Sequence, residues 1–222
     1  MIDRPLLKRY AADFGIALTD EQTEKFDTYA ALLAEWSQKM NLTAIKAPEE
    51  VLVKHFLDSL TVSTLLPAGP IRLIDVGTGA GFPGVPLAIL RDDIDLTLLD
   101  SLNKRLIFLE AVCREIGVKA ARVHVRAEDA AKKPEFRAQF DVATARAVAA
   151  MPKLCGWCLP FVKQGGRFIA MKGPDGKAEA EQAAAELKRC GGKLVDAVTL
   201  TLPQGPRDET PPQRQLLVVE KL

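Results

Sequence analysis

The chain has 222 residues, with 30 basic and 29 acidic side chains for a formal net charge of +1, and 48% of its residues are apolar. A chain of this length buries roughly 70 to 75% of its unfolded surface, enough for one compact domain with a modest appendage and no disulfide or metal staple. That balance excludes a disordered or collagen-like chain and argues against a protein that coats nucleic acid through bulk charge. No apolar run reaches the roughly 18 to 20 residues of a membrane span, and Asp3, Arg4, Lys8 and Arg9 stand where a signal peptide needs apolar residues. A cytoplasmic protein with no membrane partner is expected, and Cys113, Cys155, Cys158 and Cys190 read as free thiols.

Residues 1–66 carry only the helical period and are expected to form a helical extension packed on the core, with the main domain spanning 67–222. Thr19 followed three residues later by Gln22 has the capping-box form, and Phe26, Tyr29, Ala30, Leu33, Trp36 and Met40 then recur at helical spacing. Asn41-Leu42-Thr43 breaks that helix. Pro48 suits a first turn, and Val51, Leu52, Phe56, Leu60 and Leu65 give a further helix that stops before Pro67. From Ile71 the pattern becomes short apolar runs alternating with helical stretches: buried strands over 71–76, 95–99, 121–125, 140–145 and 167–171, and helices over 84–91, 103–117, 151–163 and 177–190. That alternation predicts a mostly parallel α/β sheet covered on both faces. The runs 193–202 and 215–220 are joined by a loop holding Pro203, Gly205, Pro206, Pro211 and Pro212, too poor in helix formers for a crossover, so an antiparallel closing hairpin is expected.

The most informative stretch leaves the first strand as Asp75-Val76-Gly77-Thr78-Gly79-Ala80-Gly81-Phe82-Pro83-Gly84. Glycines there let the backbone turn sharply and lie against a ligand. Asp100, 23 residues after Gly77, ends the next strand where an acid can accept hydrogen bonds from ribose hydroxyls. An adenosine ligand follows. Counting from Gly77 puts Phe82 at the third fingerprint position, and Pro83 removes a donor from a pyrophosphate cradle. Asp75 would repel pyrophosphate yet could anchor a cationic methionine moiety, directly or through water. These features favour S-adenosylmethionine over a dinucleotide, and the acid-x-Gly-x-Gly-x-Gly form resembles the first motif of the class I, Rossmann-like methyltransferases. By that resemblance the sheet has seven strands and closes with the antiparallel hairpin.

The fourth strand ends in Thr144-Ala145-Arg146-Ala147, where exocyclic-amine methyltransferases usually carry an Asn/Asp-Pro-Pro-aromatic loop. Cys155 and Cys158 lie too far into the following helix for a covalent nucleophile and read as packing, which leaves direct transfer to a ring nitrogen with a free lone pair. Arg146 stands at the ligand edge of the sheet, with a surface salt bridge as the alternative. Glu128 closes the third strand, where it could meet adenine or cap a helix. Lys172 could meet a phosphate or the target base. His55 shares a helix face with Asp58 and Ser59, and reads as part of a structural polar face or as a general base. His55 and His124 are the only histidines, so no metal site is expected. Residues 1–40 hold 5 basic and 7 acidic groups against 25 and 22 in the remainder, so an RNA face, if present, is local and drawn from Arg126, Arg146, Lys172, Arg207 and Arg214.

Asn41-Leu42-Thr43, His55-Phe56-Leu57-Asp58-Ser59, the loop ending in Gly81-Phe82-Pro83-Gly84, Leu99-Asp100-Ser101 with Lys104-Arg105, Arg126-Ala127-Glu128, Arg146-Ala147 and Met171-Lys172-Gly173 together resemble the glucose-inhibited division protein B family. These are the bacterial small-subunit ribosomal RNA guanine-N7 methyltransferases. The resemblance implies transfer of a methyl group from S-adenosylmethionine to N7 of one guanine in the decoding-region loop of 16S ribosomal RNA. The substrate would be the small ribosomal subunit or an assembly particle. It further implies that Gly77, Phe82, Ala127, Glu128 and Arg146 contact the cofactor, with Asp100 and Ser101 near its ribose; on the reading of the glycine loop, Asp75 and Gly79 are cofactor-binding candidates as well. His55, Asp58 and Lys172 fall on the substrate side, and with Arg146 the pair His55 and Lys172 are the candidate catalytic groups. A monomer is expected. The competing readings are a nicotinamide-dependent oxidoreductase using the same sheet edge and a non-catalytic ribosome-binding protein.

Overall fold

The computed structural model describes residues 1–205 and 207–222; Pro206 of the closing loop lies outside them. Helices α1 (Arg4–Asp13) and α2 (Asp20–Ser37) come first, and the Thr19/Gln22 capping box forms as its sequence requires. A continuous helical run over 48–65 follows. It opens as α3 (Pro48–Val51), widens into a π segment at Leu52–Leu57, returns to α4 (Asp58–Leu60) and tightens into a 3-10 turn at Thr61–Leu65. Such π segments gather at functional sites, and this one carries Lys54 and His55.

Strands and helices then alternate: β1 (Ile71–Val76), α5 (Gly84–Leu90), β2 (Ile94–Asp100), α6 (Asn103–Ile116), β3 (Ala120–His124), α7 (Ala127–Ala130), β4 (Phe140–Arg146), α8 (Met151–Cys158), β5 (Val162–Lys172), α9 (Gly176–Gln182), α10 (Ala184–Arg189), β6 (Gly192–Thr201) and β7 (Gln213–Lys221). The seven strands lie in the order β3-β2-β1-β4-β5-β7-β6. β1 to β5 pair in parallel, and β7 is antiparallel to both β5 and β6. This is the class I methyltransferase sheet with its closing hairpin. Its parallel order reverses beside β1, so the ends of β1 and β4 frame the crevice where open sheets bind ligands.

Three local expectations need correction. β3 is the edge strand and half exposed, so it is not buried on both faces. The helix expected over 151–163 ends at Cys158, because Pro160 cannot continue it; a 3-10 turn at Leu159–Phe161 then feeds a β5 that begins five residues before Arg167. The helix over 177–190 is interrupted at Ala183.

One core cluster runs from the N-terminal helices into the sheet, joining Leu7, Phe26, Tyr29 and Phe56 to Leu73, Leu96 and Phe108. Phe26, Tyr29 and Phe56 are fully buried. Each contributes on the order of 1.5–3 kcal/mol, so the N-terminal helices are held by burial and not by a tether.

Candidate active site

The glycine loop leaves β1 with Gly77 and Thr78 donating from their backbone N–H groups to Leu99 O on β2, at 2.8 and 3.1 Å. Gly77 has φ +68°, and a Cβ there would stand 2.9 Å from the Val148 methyls; at Gly81 (φ +99°) one would run into the Tyr29 hydroxyl. A side chain at either position is excluded by conformation and by space. Beneath the loop Asp75 is fully buried. Its carboxylate accepts from Thr78 Oγ1 (2.6 Å), Gly84 N (3.0 Å) and Thr144 Oγ1 (3.3 Å). Burial pushes its pKa up to about 6, against the lowering effect of those hydrogen bonds. The expectation that Asp75 anchors the ligand is corrected: it fastens the loop from inside.

A cavity of about 360 Å³ opens above the carboxyl ends of the strands, lined by Gly77, Asp100, Ser101, Ala127 and Glu128. Five sequence-predicted residues from three strand ends are thus brought together. Asp100 accepts from Gly79 N (2.9 Å), Leu102 N (2.8 Å) and Arg105 Nη1 (3.2 Å). Gly79 therefore acts by orienting Asp100. Leu99, Val125 and Trp157 add apolar walls. Trp157 lies between Cys155 and Cys158, which are buried free thiols that burial pushes up. In this segment the half-buried tryptophan, and not the cysteine spacing, is what reaches the cavity.

A second cavity, of about 340 Å³, is lined by Lys54, His55, Asp58, Arg146, Lys172 and Arg214, among others. Ala147 lines both cavities, with the unusual φ of +54° for a residue bearing a Cβ. Arg146 belongs to this second cavity, not to the first. Its Nη1 donates to Lys54 O (2.8 Å) and Asp58 Oδ2 (3.1 Å), and its Nη2 donates to His55 Nδ1 (3.0 Å). The guanidinium also lies 4.9 Å from the centroid of the Phe82 ring.

These contacts correct two further expectations. His55 cannot serve as a general base, because its Nδ1 lone pair receives Arg146 while Nε2 meets Thr43 Oγ1 at 2.7 Å. Burial first, and then the Arg146 charge, push its pKa down to about 3, so the ring is neutral. Phe82 is buried in a stack, 4.5 Å from the His55 ring and 5.4 Å from that of Tyr29. It supports Arg146 and does not line the first cavity. Tyr29, which sequence reasoning treated only as part of an apolar stripe, donates its hydroxyl to Ala80 O in the glycine loop. Lys172 is held by Ala149 O (2.8 Å) and by Glu179 (2.9 Å), so its charge is already paired.

The closing loop is buckled to the π segment: Lys54 Nζ bridges Asp208 (2.6 Å) and Glu50 (3.0 Å). The hydrogen bond to Asp208 is the main cause of a raised Lys54 pKa. No helix among the described residues is long and apolar enough to cross a membrane.

The sequence matches the family described as rRNA small subunit methyltransferase G over residues 22–206. It is 47% identical over 201 residues to the ribosomal RNA small subunit methyltransferase G of Acetivibrio thermocellus, covering 90% of this chain and 83% of that one. Its likeness to the protein of the same name from Clostridium beijerinckii is 46% over 221 residues, 98% of this chain and 90% of that one. Among solved structures, M. jannaschii TYW2 in complex with AdoMet shares the fold at a TM-score of 0.54 and 14% identity, over 69% of each chain. A family match over most of the chain, relatives alike over nearly their whole length, and a class I sheet with two cavities at its ligand edge lead to one assignment: the chain belongs to the rRNA small subunit methyltransferase G family.

Proposed function

We propose that the protein transfers a methyl group from S-adenosylmethionine to N7 of one guanine in the decoding-region loop of 16S ribosomal RNA, within the small subunit or an assembly particle, by direct in-line transfer. The observation that carries this reading is that Ala147 lines two cavities, so that they lie side by side at the ligand edge of the sheet. One is suited to an adenosine ligand; the other is lined by Lys54, Arg146, Lys172 and Arg214, with Asp58 as its one acid and no cysteine or serine to act as a nucleophile.

The first cavity fits the cofactor by its own chemistry. Gly77 brings bare backbone to its wall, where a Cβ would strike Val148; the acids Asp100 and Glu128 offer acceptors suited to ribose hydroxyls and an adenine amine; Leu99, Val125 and Trp157 supply apolar surface. When bound there, S-adenosylmethionine supplies an electrophilic methyl on a sulfonium. Guanine N7 carries a lone pair and no proton, so the residues around it have to align the base and need not deprotonate it. Of the five guanidinium N–H groups of Arg146, three are engaged by Lys54, Asp58 and His55, which leaves two for an acceptor on the base. His55 and Phe82 are positioning residues that fix the plane of that guanidinium.

Labelled methyl transfer to small subunits from cells lacking the endogenous gene, with nuclease digestion and mass spectrometry, tests the reading. Label on a single guanine N7 is expected. Cofactor binding without label on subunits, free RNA or assembly particles would refute transfer. Tight NAD binding without S-adenosylmethionine binding would favour the oxidoreductase.

A further inference from the structure

Asp58 is 2% exposed, lines the second cavity and carries one oxygen, Oδ1, without a hydrogen-bond partner among the described residues. Arg214 Nε lies 3.4 Å away, close enough for charge attraction but off the line a hydrogen bond requires. A buried carboxylate oxygen left this way is costly, and a ligand with donors to offer would relieve it. Its other oxygen is spent on Arg146.

Resting on the methylation reading above, we infer that Asp58 is the guanine-selecting residue, its Oδ1, with two lone pairs, accepting from the N1–H and N2–H edge of the target base. The order of groups along the cavity wall supports this. Arg146 starts next to Ala147 in the chain and ends on Asp58, so the wall runs from Ala147, which lines both cavities, through the guanidinium to the carboxylate. Guanine presents N7, then O6, then the N1–H and N2–H donors in the same sequence around its edge. A base whose donor edge meets Asp58 places O6 at the two free N–H groups of Arg146 and N7 toward Ala147. Adenine offers an acceptor at N1 and a donor in place of O6, so it meets a carboxylate and a cation with the wrong group at both points. Arg214 is the group that gives way, since its contact with Oδ1 is misaligned and its side chain is about a quarter exposed (27%).

The test uses the full-length protein with S-adenosylhomocysteine filling the first cavity. Guanosine and adenosine 5′-monophosphates are titrated by NMR, and methyl transfer is measured on subunits carrying guanine or adenine at the labelled position. The wild type is expected to favour guanine at least ~10-fold in both assays. Asp58→Asn, whose amide offers one acceptor and one donor, is expected to lower that ratio about tenfold or more while S-adenosylhomocysteine affinity stays within about threefold. Arg146→Ala is expected to reduce transfer and yet retain a preference for guanosine monophosphate. An unchanged ratio in Asp58→Asn overturns the inference. So does joint loss of S-adenosylhomocysteine affinity and transfer, which would make Asp58 a support of the fold alone. A wild type that prefers guanosine monophosphate but transfers to no base would refute the methylation reading and leave the guanine site supported.

Discussion

The two cavities differ in how they are built. The first draws its polar groups from short stretches at the ends of β1, β2 and β3, and its acid Asp100 is oriented by a backbone donor in the adjoining loop. The second is assembled from partners far apart in the chain: Arg146 reaches 88 residues back to Asp58 and 91 back to His55, and Lys54 reaches 154 residues forward to Asp208. A ligand shared by many enzymes can be held by a local motif on a common sheet. Selection of one substrate needs groups that only this tertiary arrangement brings together.

The largest expected effect separates the cavities outright. Gly77→Asp places a side chain where a Cβ already stands 2.9 Å from Val148, in a left-handed conformation that favours glycine, and adds charge to the first cavity. Calorimetry should show at least ~100-fold weaker binding of S-adenosylmethionine, whereas the guanosine preference of the second cavity should survive. Retained tight binding by a folded variant would break the assignment of the first cavity. Next in size, Arg146→Ala should lower kcat by about 100-fold, the scale expected for removing one preorganised donor, with S-adenosylmethionine affinity nearly unchanged. Equal losses in both quantities would put Arg146 back against the cofactor.

The smallest effect concerns two buried titratable groups, Asp75 beneath the glycine loop and His55 in the wall of the second cavity. The His55 pKa falls from its ordinary 6.5 to about 3, so between those values the unfolded chain takes up a proton that the folded chain refuses, and stability is lost as pH falls. The Asp75 pKa rises from 3.8 to about 6, so in that window the folded chain holds the extra proton, and stability is lost as pH rises. The two slopes oppose each other between about pH 4 and 6. Asp75→Asn should expose the His55 slope, with unfolding free energy falling on acidification by up to ~1.4 kcal/mol per pH unit more than in the wild type. His55→Asn should do the reverse. Parallel urea-unfolding profiles for the three proteins would remove this account of the two groups.

Much of the sheet was legible because its strands announce themselves by apolar runs; β1 was read at its true bounds of Ile71 and Val76. The place of the glycine loop and of Asp100 on one cavity wall was legible because each ends a strand of a parallel sheet, whose carboxyl ends lie along one edge. The inward turn of Asp75 was not, since a carboxylate beside a glycine loop reads equally well as facing ligand or facing core until Thr144 of β4 is known to lie 3.3 Å away. The π segment around His55 left no signal in a run whose apolar spacing suits an α-helix as well. The roles of Tyr29 and Phe82 were hidden for a similar reason: an aromatic in a core stripe and one in a loop do not reveal that they stack on each other.

That stack has a thermodynamic consequence. Tyr29, Phe82, His55 and Arg146 form one continuous column, tied at one end to Ala80 of the glycine loop and at the other to the wall of the second cavity. The loop and the guanidinium therefore cannot shift independently. Linkage then fixes the sign and size of the exchange between them: whatever factor the cofactor adds to the affinity for RNA, the RNA must return to the affinity for cofactor. Tyr29→Phe, which deletes a single hydroxyl that lines neither cavity, should reduce that shared factor, read as the change in cofactor affinity caused by RNA.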